Sequence, residues 1–71
     1  MTAIAINGAA GRMGRRLIAL AGADSDLNVV AALERSGHEL LGRDSGEVAG
    51  VRPNAVPLSD TLAADPQVLI D

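Results

Sequence analysis

The most informative chemical pattern of the chain is a glycine-spaced turn close to its start. Residues 8–14 read GAAGRMG, directly after a short apolar run and directly before a helical pattern. Glycine lets the backbone pass where a Cβ would clash, and the first N–H groups of a helix have no partner within it. These N–H groups and the positive end of the helix dipole can hold a phosphate group. The pattern therefore predicts a site for the pyrophosphate of a dinucleotide.

The spacing of the glycines departs from the usual dinucleotide fingerprint, G-x-G-x-x-G. Gly11 and Gly14 match its second and third glycines, whereas Ala9 stands at the first and Gly8 comes one place earlier. A glycine-rich turn that binds nothing is therefore an alternative on this motif alone, and Gly14 is best explained by close packing of the helix. The order strand, turn, helix favours cofactor binding. No Gly-Lys-Ser/Thr sequence is present, which disfavours a P-loop nucleotidase.

An acidic residue and an arginine provide the second part of the pattern. Glu34 lies 20 residues after Gly14, at the end of the second predicted strand. An acid at that distance can bind the adenosine ribose hydroxyls. Arg35 follows it and could bind the 2′-phosphate that distinguishes NADP from NAD. The pair leaves the preference between NADH and NADPH open, and a solvent-facing acid beside an ordinary loop cation is the alternative.

The remaining polar residues carry weaker signals. Arg12, in the first helical turn, can add positive charge next to the pyrophosphate, or it can be an ordinary solvated arginine. Arg15 and Arg16 are interpreted as solvated surface, and His38 as a surface histidine without a paired ligand. We predict no metal site and no catalytic residue, since three loop acids lack metal-ligand spacing and are interpreted as solvated: Glu39, Asp44 and Glu47.

Alternating strands and helices position these residues. Apolar runs predict strands over residues 3–7, 27–33 and 68–71, and the Pro57 segment, 54–58, is expected to be extended only at its end. A helix is predicted over 12–21 with an apolar stripe and a stop at Gly22. A long irregular loop, 37–50, is expected to contain a helical turn at 45–49, and a short helix is predicted over 61–64. The stripe consists of Met13, Leu17, Leu20 and Ala21.

This order predicts an α/β fold, a partial Rossmann domain with a doubly wound parallel sheet. Such sheets usually have about six strands, and this sequence supplies four at most. We therefore expect residues 1–71 to be the N-terminal portion of a dinucleotide-binding domain, with any substrate domain absent from this chain.

Composition excludes several functional classes. The 71 residues contain no Cys, Phe, Trp or Tyr and carry a formal net charge of −3. An acidic chain without aromatic residues is not expected to bind nucleic acid or an anionic membrane. No apolar run approaches the roughly 20 residues of a membrane span, and the start lacks a signal-peptide pattern. A cytoplasmic location is the expectation.

Beyond these general patterns, the sequence resembles one enzyme family. The segments at residues 8–15 (GAAGRMGR), 31–35 (AALER) and 40–50 (LLGRDSGEVAG) look like the N-terminal part of 4-hydroxy-tetrahydrodipicolinate reductase, also called dihydrodipicolinate reductase. The final residues, 68–71, resemble the strand that precedes that family's Asp-Phe-Thr segment. The loop over 40–50 is the more specific part, because general Rossmann chemistry does not require it.

The resemblance implies a cytoplasmic enzyme of the diaminopimelate route to lysine, which reduces a cyclic dicarboxylate with NADH or NADPH. It places dinucleotide contacts on Gly8, Ala9, Ala10, Gly11, Arg12 and Met13, ribose contacts on Glu34 and 2′-phosphate contacts on Arg35. It also implies that the catalytic residues lie in a later domain through which family members form homotetramers. His38 is not their counterpart.

Two alternatives from other classes remain at this point. One is another nicotinamide-dependent dehydrogenase of amino-acid metabolism, such as an aspartate or homoserine dehydrogenase. The other is a Rossmann module that senses NAD without catalysis. A histidine-rich segment with a nearby lysine in a following domain would favour the reductase.

Overall fold

The computed structural model describes residues 2–62 and 65–70. Its elements are β1 (Thr2–Asn7), α1 (Arg12–Gly22), β2 (Leu27–Leu33), α2 (Ser45–Val48), β3 (Leu58–Ser59) and β4 (Val68–Ile70). The three longer predicted strands and the first helix are thereby confirmed to within a residue or so at each end. Gly22 closes α1 as its last helical residue instead of stopping the helix from outside, and Ala23 is the C-cap.

All four strands form one parallel sheet in the order β3-β2-β1-β4. The central strand β1 pairs with β2 along its whole length, with one irregularity of register between Ile4 and Ala5. Parallel strands need crossover connections, and α1 supplies the one between β1 and β2. This is the partial Rossmann-like α/β fold that the sequence predicts, and it brings the ends of β1 and β2 to the same edge.

The core lies between the sheet and α1. Ile6, Ile18 and Leu58 of β3 are almost completely buried and belong to one core cluster. The buried face of α1 consists of Gly14, Ile18 and Ala21. Burial of aliphatic side chains of this size stabilises the fold by about 1.5–3 kcal/mol each.

The predicted apolar stripe of α1 was wrong in two of its four positions. Met13 and Leu20 are 64% and 61% exposed, whereas Ile18, which the stripe omitted, is buried. A helix whose backbone approaches the preceding turn this closely needs a small residue where the two backbones meet. Gly14 therefore belongs to the buried face, and the face is centred on Gly14 and Ile18 instead of Met13 and Leu17.

The region after β3 also differs from the prediction. Residues 61 and 62 form no helix, and the remaining residues of the predicted helix, 63 and 64, lie outside the described part of the chain. The Ser59 hydroxyl accepts a hydrogen bond from the Thr61 N–H at 3.1 Å and donates one to the Thr61 carbonyl at 3.0 Å. The polar residues that predicted a helix cap thus form a local turn, which is a common alternative use of serine. Within the described residues no helix has the length and apolar character to cross a bilayer.

Candidate dinucleotide-binding site

The glycine turn, residues 8–11, leads from the end of β1 into α1. Gly8 has a φ of +69°, a left-handed conformation that side chains disfavour. The Gly8 carbonyl then accepts the Gly11 N–H at 3.0 Å, which closes the turn. The Ala9 N–H donates to the Leu33 carbonyl at 2.9 Å and attaches the turn to the end of β2.

Gly14 lies where α1 approaches this turn most closely. A Cβ at that position would come 2.3 Å from the Gly8 oxygen and 2.7 Å from the Ala9 Cα. Both atoms belong to the backbone, so no side-chain rotation could relieve the contact. The interpretation of Gly14 as a close-packing position is consistent with this geometry. The partner of the helix is the turn itself, which holds the N-terminus of α1 against the end of β1.

The first turn of α1 offers three N–H groups to an anion. Among residues 2–62 and 65–70, the backbone N–H groups of Arg12, Met13 and Gly14 have no hydrogen-bond acceptor, and the first helical bond is Arg15 N–H to the Gly11 carbonyl at 2.9 Å. The N-cap residue Gly11 provides no side-chain cap. The N–H groups within the glycine turn itself bond to protein atoms. The donors available to an anion are therefore N–H groups of the helix. The N–H groups of residues 8–11 already have acceptors in the protein.

The charges around this helix start also favour an anion. Negatively charged side chains normally stabilise a helix N-terminus, and positively charged ones disfavour it. The first turn of α1 contains no acid, whereas Arg12 and Arg15 are both exposed there. An arrangement that is unfavourable for the isolated helix becomes favourable when a phosphate group binds between the dipole and the guanidinium groups.

Glu34 lies beside the glycine turn, as the sequence predicts for a ribose ligand. Its own N–H donates to the Ser59 carbonyl at 2.9 Å, which fixes the residue at the end of β2 next to β3. One carboxylate oxygen, Oε2, accepts the Ala10 N–H at 2.9 Å. The other, Oε1, accepts the Arg35 N–H at 3.2 Å. The acid at the end of β2 and the glycine turn that precedes α1 are therefore adjacent in the fold, although Glu34 and Ala10 are 24 positions apart in the sequence.

Arg35 follows this carboxylate in the sequence, and its own N–H donates to Glu34 Oε1. Its side chain is exposed, and within the described part of the chain no acid forms an ion pair with it. The Arg35 carbonyl accepts the His38 N–H at 3.1 Å, which begins the loop that follows.

His38 makes a local loop contact of its own. It is half-buried, and its Nδ1 accepts the Leu40 N–H at 3.0 Å. The ring therefore shapes the loop instead of lying freely in solvent, which the surface interpretation did not anticipate. Groups of His, Cys, Asp and Glu that could hold a metal ion are absent from the described residues.

Asp44 is the residue whose role the sequence analysis missed. It is the N-cap of α2, where Oδ2 accepts the Glu47 N–H at 3.0 Å, and the same carboxylate accepts the N–H groups of Asn54 at 3.1 Å and Ala55 at 2.8 Å. Partial burial raises the pKa of Asp44, but these backbone donors outweigh it and hold the pKa below its usual value. The Asp-x-x-Glu pattern at 44–47 is a capping-box signature and was the signal for this role.

The side chain of Asn54 also links the start of α2 to the segment that leads into β3. Its side-chain oxygen accepts the Ser45 hydroxyl at 3.1 Å, the Gly46 N–H at 3.3 Å and the Val56 N–H at 3.0 Å. A Cβ at Gly46 would come 2.3 Å from the Arg52 oxygen. The distinctive loop sequence over 40–50 therefore has a structural role, because its residues are joined by hydrogen bonds to the segment that leads into β3.

Comparison with known proteins gives one consistent result. A family model described as "Dihydrodipicolinate reductase, N-terminus" matches residues 2–71. The chain is 48% identical over 64 residues to a 4-hydroxy-tetrahydrodipicolinate reductase of Geobacter sulfurreducens, which covers 90% of this chain and 24% of the relative. It is 46% identical over 74 residues to the enzyme of the same name from Citrifermentans bemidjiense, covering 100% of this chain and 28% of the relative.

A more distant relative shows the same pattern. The reductase of that name from Rhodopirellula baltica is 41% identical over 73 residues, which covers 96% of this chain and 26% of the relative. The chain spans about a quarter of the length of the curated relatives it matches. The family resemblance is thus confirmed along nearly the whole length of the chain, and the chain belongs to the dihydrodipicolinate reductase family, of which it matches the N-terminal part.

Proposed function

We propose that this chain is the NADH- and NADPH-binding part of a 4-hydroxy-tetrahydrodipicolinate reductase of the diaminopimelate route to lysine. The observation that carries the proposal is the start of α1, where three N–H groups have no acceptor among residues 2–62 and 65–70, no side chain provides a cap and arginines are exposed. A carboxylate that can accept hydroxyl groups lies directly across the glycine turn. A dinucleotide presents these two groups together, since its pyrophosphate anion lies next to the adjacent hydroxyls of its adenosine ribose.

The residues present fit such a cofactor. The N–H groups of Arg12, Met13 and Gly14 would hold the pyrophosphate, with the Arg12 guanidinium adding charge. Glu34 would accept the hydroxyls of the adenosine ribose, and Arg35 would attract a 2′-phosphate where one is present. Gly8, Ala9, Ala10 and Gly11 would take part as the backbone that shapes the turn. When bound, the reduced nicotinamide supplies the hydride.

Catalysis would then depend on residues outside these 71. Within the described residues, the proposed site consists of the α1 N–H groups for the pyrophosphate and the Glu34 carboxylate for the ribose. His38 Nδ1 accepts the Leu40 N–H in the following loop. We propose that the dicarboxylate substrate is bound mainly by a following domain, that the protein is cytoplasmic and that it forms a homotetramer, as implied by the family. The 71 residues alone should then bind cofactor without turning substrate over.

Calorimetric titration with NADH and with NADPH tests the proposed cofactor role. One saturable site per chain is expected for each. The Gly11→Val variant should lose both, because its branched side chain would face the phosphate position and its Cβ would already come 3.2 Å from the Gly8 oxygen. Gly22→Val is the matched control, since a Cβ there has no neighbour within 4 Å. Equal binding by both variants would contradict the assignment of the turn.

A further inference from the structure

The last residue of β1, Asn7, forms an asparagine–glycine pair with Gly8, the first residue of the glycine turn. Asparagine is one of the thermolabile residues. It reacts most readily before glycine, which has no Cβ to obstruct attack by its own nitrogen on the neighbouring side-chain amide. We propose that Asn7 is a site of spontaneous deamidation in the folded protein, and that this modification removes the cofactor site. The second half of the inference rests on the proposed function.

The structure places the two reacting groups side by side. The Gly8 N–H donates to Asn7 Oδ1 at 3.1 Å, so the side-chain amide carbon, Cγ, is one covalent bond from the atom that contacts the attacking nitrogen. Gly8 lies one residue beyond the end of β1, where the ladder of the sheet no longer fixes its backbone. Both residues are exposed, so water and hydroxide can reach them. A Cβ at Gly8 would meet nothing within 4 Å, which leaves room for a ring to close.

The reaction needs only hydroxide and water as co-reactants. The Gly8 nitrogen gives its proton to hydroxide and attacks Asn7 Cγ. The new N–Cγ bond closes a succinimide ring, and the Cγ–Nδ2 bond breaks with release of ammonia, which takes its additional proton from water. Water then adds to one of the two ring carbonyl carbons and breaks its bond to the nitrogen. Opening at Cγ leaves aspartate, and opening at the main-chain carbonyl leaves isoaspartate, whose backbone runs through Cβ and Cγ.

The other two asparagines of the chain lack this arrangement. Asn28 precedes Val29 within β2, where a branched side chain obstructs the attacking nitrogen. Asn54 precedes Ala55, and its Oδ1 already accepts three hydrogen bonds. The Ala55 N–H donates to Asp44 Oδ1 at 2.8 Å, away from the Asn54 side chain. We therefore expect Asn7 to react faster than either of them.

Both products would disturb the proposed cofactor site. The Gly8 carbonyl accepts the Gly11 N–H at 3.0 Å and lies against α1 at Gly14. Isoaspartate adds a methylene group to the backbone directly before Gly8, so this carbonyl cannot keep its place in the turn. Either product also adds a carboxylate at the start of the turn, and a like charge there repels a pyrophosphate at the start of α1. Deamidation should therefore remove NADH and NADPH binding together.

Peptide mass spectrometry during incubation at mildly alkaline pH, well below the thermal unfolding midpoint, tests the modification. Trypsin cleaves after arginine except before proline, so the three asparagines fall on separate peptides, 1–12, 17–35 and 44–71. The first peptide should convert to aspartate and isoaspartate forms at a rate that rises with hydroxide concentration. Asn7→Gln is the matched control, because it keeps the amide but must close a larger ring. A peptide 1–12 that is modified no faster than the other two would overturn the proposal.

Calorimetric titration of the incubated protein tests the consequence for the cofactor. The number of NADH sites per chain should fall in step with the modified fraction in the wild type, and Asn7→Gln should keep its starting value. Saturating NADH during the incubation should slow the modification, because a bound pyrophosphate covers the turn. If neither cofactor binds the fresh protein, the proposed function fails, and the peptides alone decide the deamidation. If the fully modified protein binds NADH as the fresh protein does, the cofactor role stands and the loss of the site is refuted.

Discussion

The contact between α1 and the glycine turn is close enough that one methyl group at residue 14 should disturb both. In Gly14→Ala the new Cβ would come 2.3 Å from the Gly8 oxygen, roughly 1.2 Å short of the separation at which non-bonded atoms attract. The helix and the turn must therefore move apart. Overpacking of this kind costs about 1–3 kcal/mol, which exceeds the gain of up to about 1 kcal/mol that alanine brings to a helix interior.

Gly22→Ala is the matched control, because it makes the same substitution in the same helix. A Cβ at Gly22 meets nothing within 4 Å, so this variant should be neutral or more stable by up to about 1 kcal/mol. Thermal unfolding should then show Gly14→Ala melting below Gly22→Ala by about 4–8 °C for each kcal/mol between them. Gly14→Ala should also weaken NADH binding. A Gly14→Ala protein that melts at or above the Gly22→Ala midpoint would refute the packing argument.

Three further predictions concern other parts of the site and its scaffold. Arg35→Ala should weaken NADPH and spare NADH; an unchanged ratio of the two affinities in a fluorescence titration would assign this arginine to the surface. Ala55 has a φ of +62°, so Ala55→Gly should raise the free energy of unfolding in urea by about 1 kcal/mol, and a destabilised variant would count against backbone strain there. The lowered pKa of Asp44 means that its stabilising contribution is present above its unfolded pKa and is lost as the pH falls through its folded pKa. Thermal unfolding of Asp44→Asn should accordingly give lower stability at neutral pH and a smaller loss on acidification; parallel curves for the two proteins would contradict the capping role.

The sequence was sufficient for the main elements of the fold because hydrophobic patterning and glycine positions encode them directly. The parallel sheet, the helix after the glycine turn and the end of β2 at Leu33 all follow from local runs and their order. The exposure of Met13 and Leu20 does not follow from local patterns. The buried face of α1 is determined by where the helix backbone meets the turn. That approach depends on Gly14, whose small size leaves no mark in a hydrophobic pattern.

The residues of the candidate site could be predicted from the sequence, but their hydrogen bonds could not. Spacing placed Glu34 beside the turn, and the structure puts its carboxylate 2.9 Å from the Ala10 N–H. Which amides are available to an anion depends on hydrogen bonds between distant segments, such as Ala9 to Leu33 at 2.9 Å, and no local pattern contains these. The sequence analysis also interpreted Asp44 as a solvated acid, because its partners Asn54 and Ala55 are ten and eleven positions away and the local Asp-x-x-Glu pattern indicates only the cap of α2.

The glycine turn and the 40–50 loop perform different tasks in this structure. The turn leads into the start of α1 and contacts the Glu34 carboxylate through the Ala10 N–H. The loop is held by its own Asp44 and Asn54 hydrogen bonds. We therefore expect substitutions in the loop to change the free energy of unfolding, and substitutions around the turn to change cofactor binding as well.

Backbone amide shift mapping during a titration with NADH tests the central claim most directly, because it reports where the cofactor binds residue by residue. We expect saturable shifts centred on Arg12 and Met13, with a second group at Glu34 and Arg35, and little change over 44–56. Saturable binding with its largest shifts in the 44–56 loop, or no shift at the start of α1 at saturating NADH, would contradict it.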